Sequence, residues 1–336
     1  MGTKKHLIVA LLFVSIGGMQ TIVQAEEFYK EVVIIGGYSD KDQWLGKKGR
    51  LKNSVGFEYY KKYSDEYGDF LTLDLQIRAA YDSTEDSQDA FGIEIHNAWL
   101  EYKLGLGKSI RLGHFDPAFG LEPVLDTHGT LLQNLAYKNM GFKKDWGIGY
   151  KGFLGDYDYQ FAAGLGSGMG IQRKDSSFLL TGRISTPQTK DTQIGLSFLY
   201  GQTLESSQSW TIPAADLVSN KSIRKKRIGI DLQCPLGLFD FKAEAAAGDD
   251  DGRTVAGGMM EFGYTVPERQ NLKLKMQTLY WSDNFAEKES RDLTLSPVIE
   301  YKISSTTTVR LGYFHDIYSS SDEDKMIVMQ FYYFGL

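Results

Sequence analysis

The feature that most constrains this chain is a period of two. Across residues 70–81, Leu71, Leu73, Leu75, Ile77, Ala79 and Tyr81 alternate with Thr72, Asp74, Gln76 and Arg78. An extended backbone therefore puts the apolar side chains on one face and the polar ones on the other. The pattern returns in 192–202, where Ile194, Leu196, Phe198 and Tyr200 oppose Gln193, Gly195 and Ser197. It returns again in 272–281, with Leu272, Leu274, Met276 and Tyr280 against Lys273, Lys275 and Gln277.

Followed along the chain, this pattern predicts strands at 31–38, 54–63, 70–81, 91–104, 109–115, 145–151, 157–165 and 178–186. It continues at 192–202, 223–233, 239–248, 254–264, 272–281, 292–303, 307–318 and 325–336. That makes about sixteen, most of them near the 9 to 11 residues that a tilted strand needs to cross a bilayer. In the fourth, Phe91, Ile93 and Ile95 give way to Ala98, Leu100 and Tyr102, a parity slip that predicts a bulge near His96.

The connections alternate between short ones, such as 105–108, 152–156 and 234–238, and mostly longer ones, such as 39–53, 116–144 and 203–222. Transmembrane β-barrels have this asymmetry, with short periplasmic turns and longer outer loops. A soluble sandwich or propeller would also alternate. Tyr59, Tyr81, Tyr150, Tyr157, Tyr200, Tyr264, Tyr280 and Tyr301, however, stand near strand ends on the apolar face, as an aromatic girdle requires. The expected fold is thus an all-β transmembrane antiparallel barrel of about sixteen strands, forming one domain over 26–336. Composition agrees: at a mean hydropathy of −0.30 the chain is too polar for a bundle of membrane helices. Its formal charge of −6 does not suggest a nucleic-acid partner.

The first 25 residues read as a cleaved signal peptide: Lys4, Lys5 and His6, an apolar run over 7–16, then Val23-Gln24-Ala25 with small residues where a signal peptidase needs them. The apolar run is too short to span a bilayer. The mature chain is expected to begin at Glu26, and export to lead to an outer membrane. The final strand resembles the terminal strand that marks bacterial outer-membrane proteins for the barrel assembly machinery. Val328, Tyr332, Phe334 and Leu336 fall in its alternating apolar register, with Gln330 interrupting, and the alternate face, Ile327, Met329, Phe331 and Tyr333, is apolar as well. The lone Cys234, read as lying at a turn, allows no internal disulfide.

A closed cylinder of this size leaves an aqueous channel, so a pore for small hydrophilic solutes or ions is the default expectation. Basic and acidic residues are about equally frequent on the inward face, among them Arg78, Arg111, Lys273, Lys275 and Arg310 against Asp158, Glu244 and Glu300. The longest connection, 116–144, carries Phe119, Leu121, Leu131, Leu132 and Leu135, which need a surface to pack on. Asp116, Glu122, Asp126 and His128 are its candidate channel-lining residues, with Arg78 and Arg111 opposite.

The run over 111–122, Arg-Leu-Gly-His-Phe-Asp-Pro-Ala-Phe-Gly-Leu-Glu, resembles the segment by which phosphate-selective porins of the O/P group leave a strand and enter a loop. The resemblance implies a porin whose third outer loop folds into and narrows the channel, with trimers as the common assembly. The position of Asp116 is usually basic in that group, and an acid there disfavours an anion.

Other chemistry finds less support. His114, His128 and His315 lie near Asp116, Asp126 and Asp316, but no Gly-x-Ser-x-Gly nucleophile signature accompanies them, so an outer-membrane hydrolase is not expected. The same residues match no metal-ligand spacing, and Asp249-Asp250-Asp251-Gly252 reads as a solvated turn rather than a calcium loop. No cofactor is implied. A structural or adhesive barrel whose outer loops bind a partner is the alternative, favoured by Trp210 and Ile212 in the loop 203–222.

Overall fold

The alternation closes on itself. In a computed structural model describing residues 23–40, 53–81, 91–105, 107–125, 129–171, 174–205, 219–287, 291–318 and 323–336, sixteen strands form one antiparallel barrel in which each strand pairs with its neighbours in sequence. The first half of the wall runs β1 (Val23–Ser39), β2 (Asn53–Asp65), β3 (Gly68–Tyr81), β4 (Phe91–Gly105), β5 (Lys108–Phe115), β6 (Asp145–Leu154), β7 (Tyr157–Gly164) and β8 (Phe178–Ser185). The second half runs β9 (Gln193–Thr203), β10 (Ile223–Leu236), β11 (Phe239–Asp250), β12 (Arg253–Thr265), β13 (Leu272–Ser282), β14 (Arg291–Lys302), β15 (Thr307–Tyr318) and β16 (Glu323–Gly335). One short helix, α1 (Ala136–Met140), lies between β5 and β6. Closure comes from β1 on β16, registered from Lys30 opposite Gly335 to Ser39 opposite Met326.

Every expected strand is present. β1 is the longest departure, beginning at Val23 rather than 31 and extending along β2 below the point where β16 ends. The residues before 23, with the apolar run of the expected signal peptide, lie outside the described residues. The bulge falls where the parity slip put it: Gln76 pairs with Asn97 and Ile77 with Ile95, which leaves His96 as the extra residue. Cys234 lies within β10 rather than at a turn, and the link to β11 is Gly237 and Leu238 alone. At the other end, Asp251 and Gly252 both have positive φ (47° and 89°), the two-residue hairpin turn that matches the twist of its strands.

The barrel is inside out relative to a soluble protein. Ile93, Ile228 and Leu196 are 77%, 71% and 63% exposed, whereas Arg78, Asp231, Arg183 and Lys225 are almost wholly buried. Transfer of a charge from water is costly unless it is paired, and the wall answers this with cross-strand ion pairs. Arg78 Nε donates to Glu31 at 2.6 Å with both side chains fully buried, and Arg183 grips both oxygens of Asp231 at 2.9 and 2.6 Å.

The last strand, apolar on both faces in sequence, is sorted by the barrel. Met326, Val328 and Gln330 face inward and are buried, while Ile327, Met329 and Phe331 face out. Both faces of β16 are apolar because its inner face has its own cover: Met326 and Val328 pack with Val33, Ile35, Val298 and Phe314 against Leu131 and Leu132 of the loop between β5 and β6.

Candidate functional site: a loop seated inside the barrel

The described residues of the 29-residue connection over 116–144 enter the barrel and pack on its inner wall from β8 round to β1. Its apolar residues decide where it lies. Phe119, Leu121, Leu135, Ala136, Met140 and Phe142 form one cluster with Leu179, Leu199, Ala246, Val255, Met259 and Trp281 of β8 to β13. Leu131 and Leu132 join the second cluster at the barrel seam.

Polar contacts fix the loop between these clusters. Ala118 N–H donates to Thr181 Oγ1 and Gly120 N–H to Ser197 Oγ, each at 3.0 Å. Glu244 of β11 accepts from Leu121 N–H at 3.3 Å and from Asn139 Nδ2 at 3.2 Å. Gln277 donates to the carbonyl of Gln133 at 2.9 Å, Lys138 pairs with Asp292 at 3.1 Å, and Arg310 Nη1 donates to the carbonyl of Gly129 at 2.6 Å. Gly120, at φ +59°, lies so close to the wall that a Cβ there would collide with Glu244 Oε1.

The wall from β2 to β7 holds none of these anchoring contacts. It carries Arg111, whose guanidinium lies 4.1 Å from the centre of the Trp99 ring and 2.7 Å from Glu101. Lys151 reaches the same carboxylate at 2.9 Å. Between this wall, the root of the loop and the short-turn end lies a cavity of about 310 Å³, lined by Arg111, Asp116, Lys151, Asp158, Gln160 and Gln188 among others.

No protein-family model matches the sequence, and no curated protein is significantly similar to it. Solved structures match over nearly the whole chain. The anion-selective porin from Comamonas acidovorans superposes with a TM-score of 0.67 at 10% identity, covering 93% of this chain and 100% of its own. The outer-membrane protein OmpT of Vibrio cholerae gives 0.66 at 11%, covering 93% and 98%. The outer-membrane channel DcaP of Acinetobacter baumannii gives 0.61 at 12%, covering 93% and 97%. The fold is the porin barrel.

Within this porin barrel the described candidate residues fall into three groups. Asp116 and Arg111 line the cavity, with Asp116 bonded to Lys144 at the far root of the loop. Glu122 is buried inside the loop, bonded to Asn134. Burial and the nearby Asp116 carboxylate push its pKa up to about 7. Arg78, Lys273, Lys275 and Arg310 are inward-facing but held in wall contacts: Arg78 by Glu31, Lys273 by Asp240, and Lys275 and Arg310 together by Glu300 at 3.1 and 2.7 Å. Asp126 and His128 lie outside the described residues.

Lys144, Glu101, Asn139 and the anchoring role of Glu244 were not foreseen. For Glu101 the signal was present: past the bulge at His96 the odd-numbered residues of β4 turn inward, bringing Trp99 and Glu101 into the lumen. For Lys144 there was only a basic pair, Lys143-Lys144, at the end of the loop. His114 is buried with its Nδ1 3.1 Å from the carbonyl of His96 and its ring against Trp146. Among the described residues, no three His, Cys, Asp or Glu side chains come together as a metal site.

Proposed function

We propose that this chain forms a water-filled channel across an outer membrane, through which small hydrophilic solutes or ions diffuse passively. The polarity of the wall carries the proposal: apolar side chains cover the outer surface while ion pairs and hydroxyls line the inside, as a barrel between lipid and water requires. Sixteen strands enclose more space than side chains fill. The loop over 116–144 reduces that space, which makes the gap between it and the β2–β7 wall the narrow part of the path. The likeness to an anion-selective porin and to an outer-membrane channel supports the same reading.

On this proposal the chain is exported through its first 25 residues, inserted by the barrel assembly machinery through β16, and surrounded by outer-membrane lipid. On the same reading the assembly is a homotrimer, which the trimer form of OmpT from Vibrio cholerae supports. The barrel is not an enzyme. Phosphate selectivity of the O/P kind is not assigned to it, because Asp116 and Lys144 form an ion pair where that selectivity would want surplus positive charge. Planar-bilayer recording tests the function directly. Stepwise conductance is the expected result, and a barrel that inserts but stays silent would instead favour a structural or adhesive role.

A further inference from the structure

The cavity beside the root of the loop has an uneven distribution of charge. Arg111 and Lys151 share one carboxylate, Glu101, at 2.7 and 2.9 Å, so two cations face a single anion. Asp158 lies one inward position nearer the short-turn end: Lys151 pairs with Gln160 and Phe153 with Asp158 across β6 and β7. Asp158 accepts a hydrogen bond from Gln188 N–H at 3.0 Å and makes no ion pair among the described residues. Asp116, on the loop side, is neutralised by Lys144. The lining therefore has a surplus positive charge on one row of the wall and a surplus negative charge on the next, within reach of one small molecule. The Ser109 hydroxyl, which lines the adjoining space with Arg111, Asp116 and Lys151, is buried without a hydrogen-bond partner among the described residues.

We propose that this cavity is a transit subsite for zwitterionic solutes of amino-acid size, an assignment that rests on the channel reading above. The solute carboxylate lies against Arg111 and Lys151, and its ammonium group against Asp158. A purely anionic solute gains from the first pair and is repelled by Asp158, and a cationic one meets the reverse. An uncharged solute of the same size gains from neither. A cavity of about 310 Å³ accommodates such molecules without excluding water. Contacts of this strength let a solute enter without trapping it, the condition for conduction through a binding site.

The test is liposome swelling with the full-length protein and four solutes of near-equal size: L-alanine, lactamide, lactate and ethanolamine. Alanine should enter about threefold faster than lactamide, the effect of one or two water-exposed ion pairs. Asp158→Asn and Lys151→Gln should each bring that ratio towards one, and Asp158→Asn should raise lactate entry relative to ethanolamine. Equal rates for alanine and lactamide in the unaltered protein, or a ratio that neither substitution changes, would overturn the subsite while leaving the channel standing. Failure of lactamide itself to enter would overturn the channel and the subsite with it.

Discussion

Glu244 on β11 and Asn139 on α1, 105 residues apart in sequence, meet at 3.2 Å inside the barrel, and the same carboxylate accepts the N–H of Leu121 from the other arm of the loop. One wall side chain thus holds both arms. Glu244→Ala removes these acceptors and leaves buried N–H groups unpaired, at about 1–3 kcal/mol for each. The expected outcome is a lower melting temperature in detergent together with larger or noisier single-channel currents. Gly120→Ala attacks the same contact from the loop side, since its Cβ would collide with Glu244 at a positive φ. It should reproduce the phenotype, and a quiet, wild-type-like channel in both variants would show that the loop is held elsewhere.

Seating of the loop should weaken as pH rises. The Glu122 pKa is raised from about 4.5 to about 7 by burial and by Asp116. Between those values the seated loop keeps a proton that a released loop gives up, so stability is greatest below about pH 4.5 and falls up to about pH 7. Melting curves between pH 5 and pH 8 should show the decline, and Glu122→Gln should flatten it.

Asp116→Lys would place a second ammonium beside Lys144 and a third cation near Arg111. The reversal potential in a salt gradient should shift towards anions, with severalfold higher chloride over potassium permeability. An unchanged potential would take Asp116 out of the narrow part of the path.

The buried Arg183–Asp231 pair is a stability element. Arg183→Ala strands a carboxylate that has no exposure and should cost about 3–5 kcal/mol, whereas replacing both partners with apolar residues of similar size should cost less. Chemical unfolding in detergent compares the two.

Processing after Ala25 would trim β1 but leave the closing register intact, because β16 first pairs at Lys30. Mass spectrometry of the membrane-extracted protein should give a chain starting at Glu26. A retained Met1 would contradict the signal-peptide reading.

The barrel was legible because its rule is local: a residue's face follows from its parity, and the mid-strand exception at His96 was marked by a change in which positions were apolar. The terminal strand was ambiguous because parity sorts faces only where one of them is apolar, and here both are. Val328 is apolar for a non-local reason, the presence of Leu131 on the lumen side. The site was less legible for the same cause. That residues 116–144 needed a packing surface could be read from their leucines, but Glu244 as an anchor and Lys144 as the partner of Asp116 depend on where a long loop comes to rest, and no periodicity records that.

Because the loop is fastened to β8 through β1, while the Arg111, Lys151 and Asp158 side chains project from β5 to β7, anchorage and the proposed solute contacts fall on different strands of one cylinder. On the proposed channel reading, substitutions at those three side chains would retune which molecules pass while the tether stays untouched, so selectivity could drift without any change in how the chain folds.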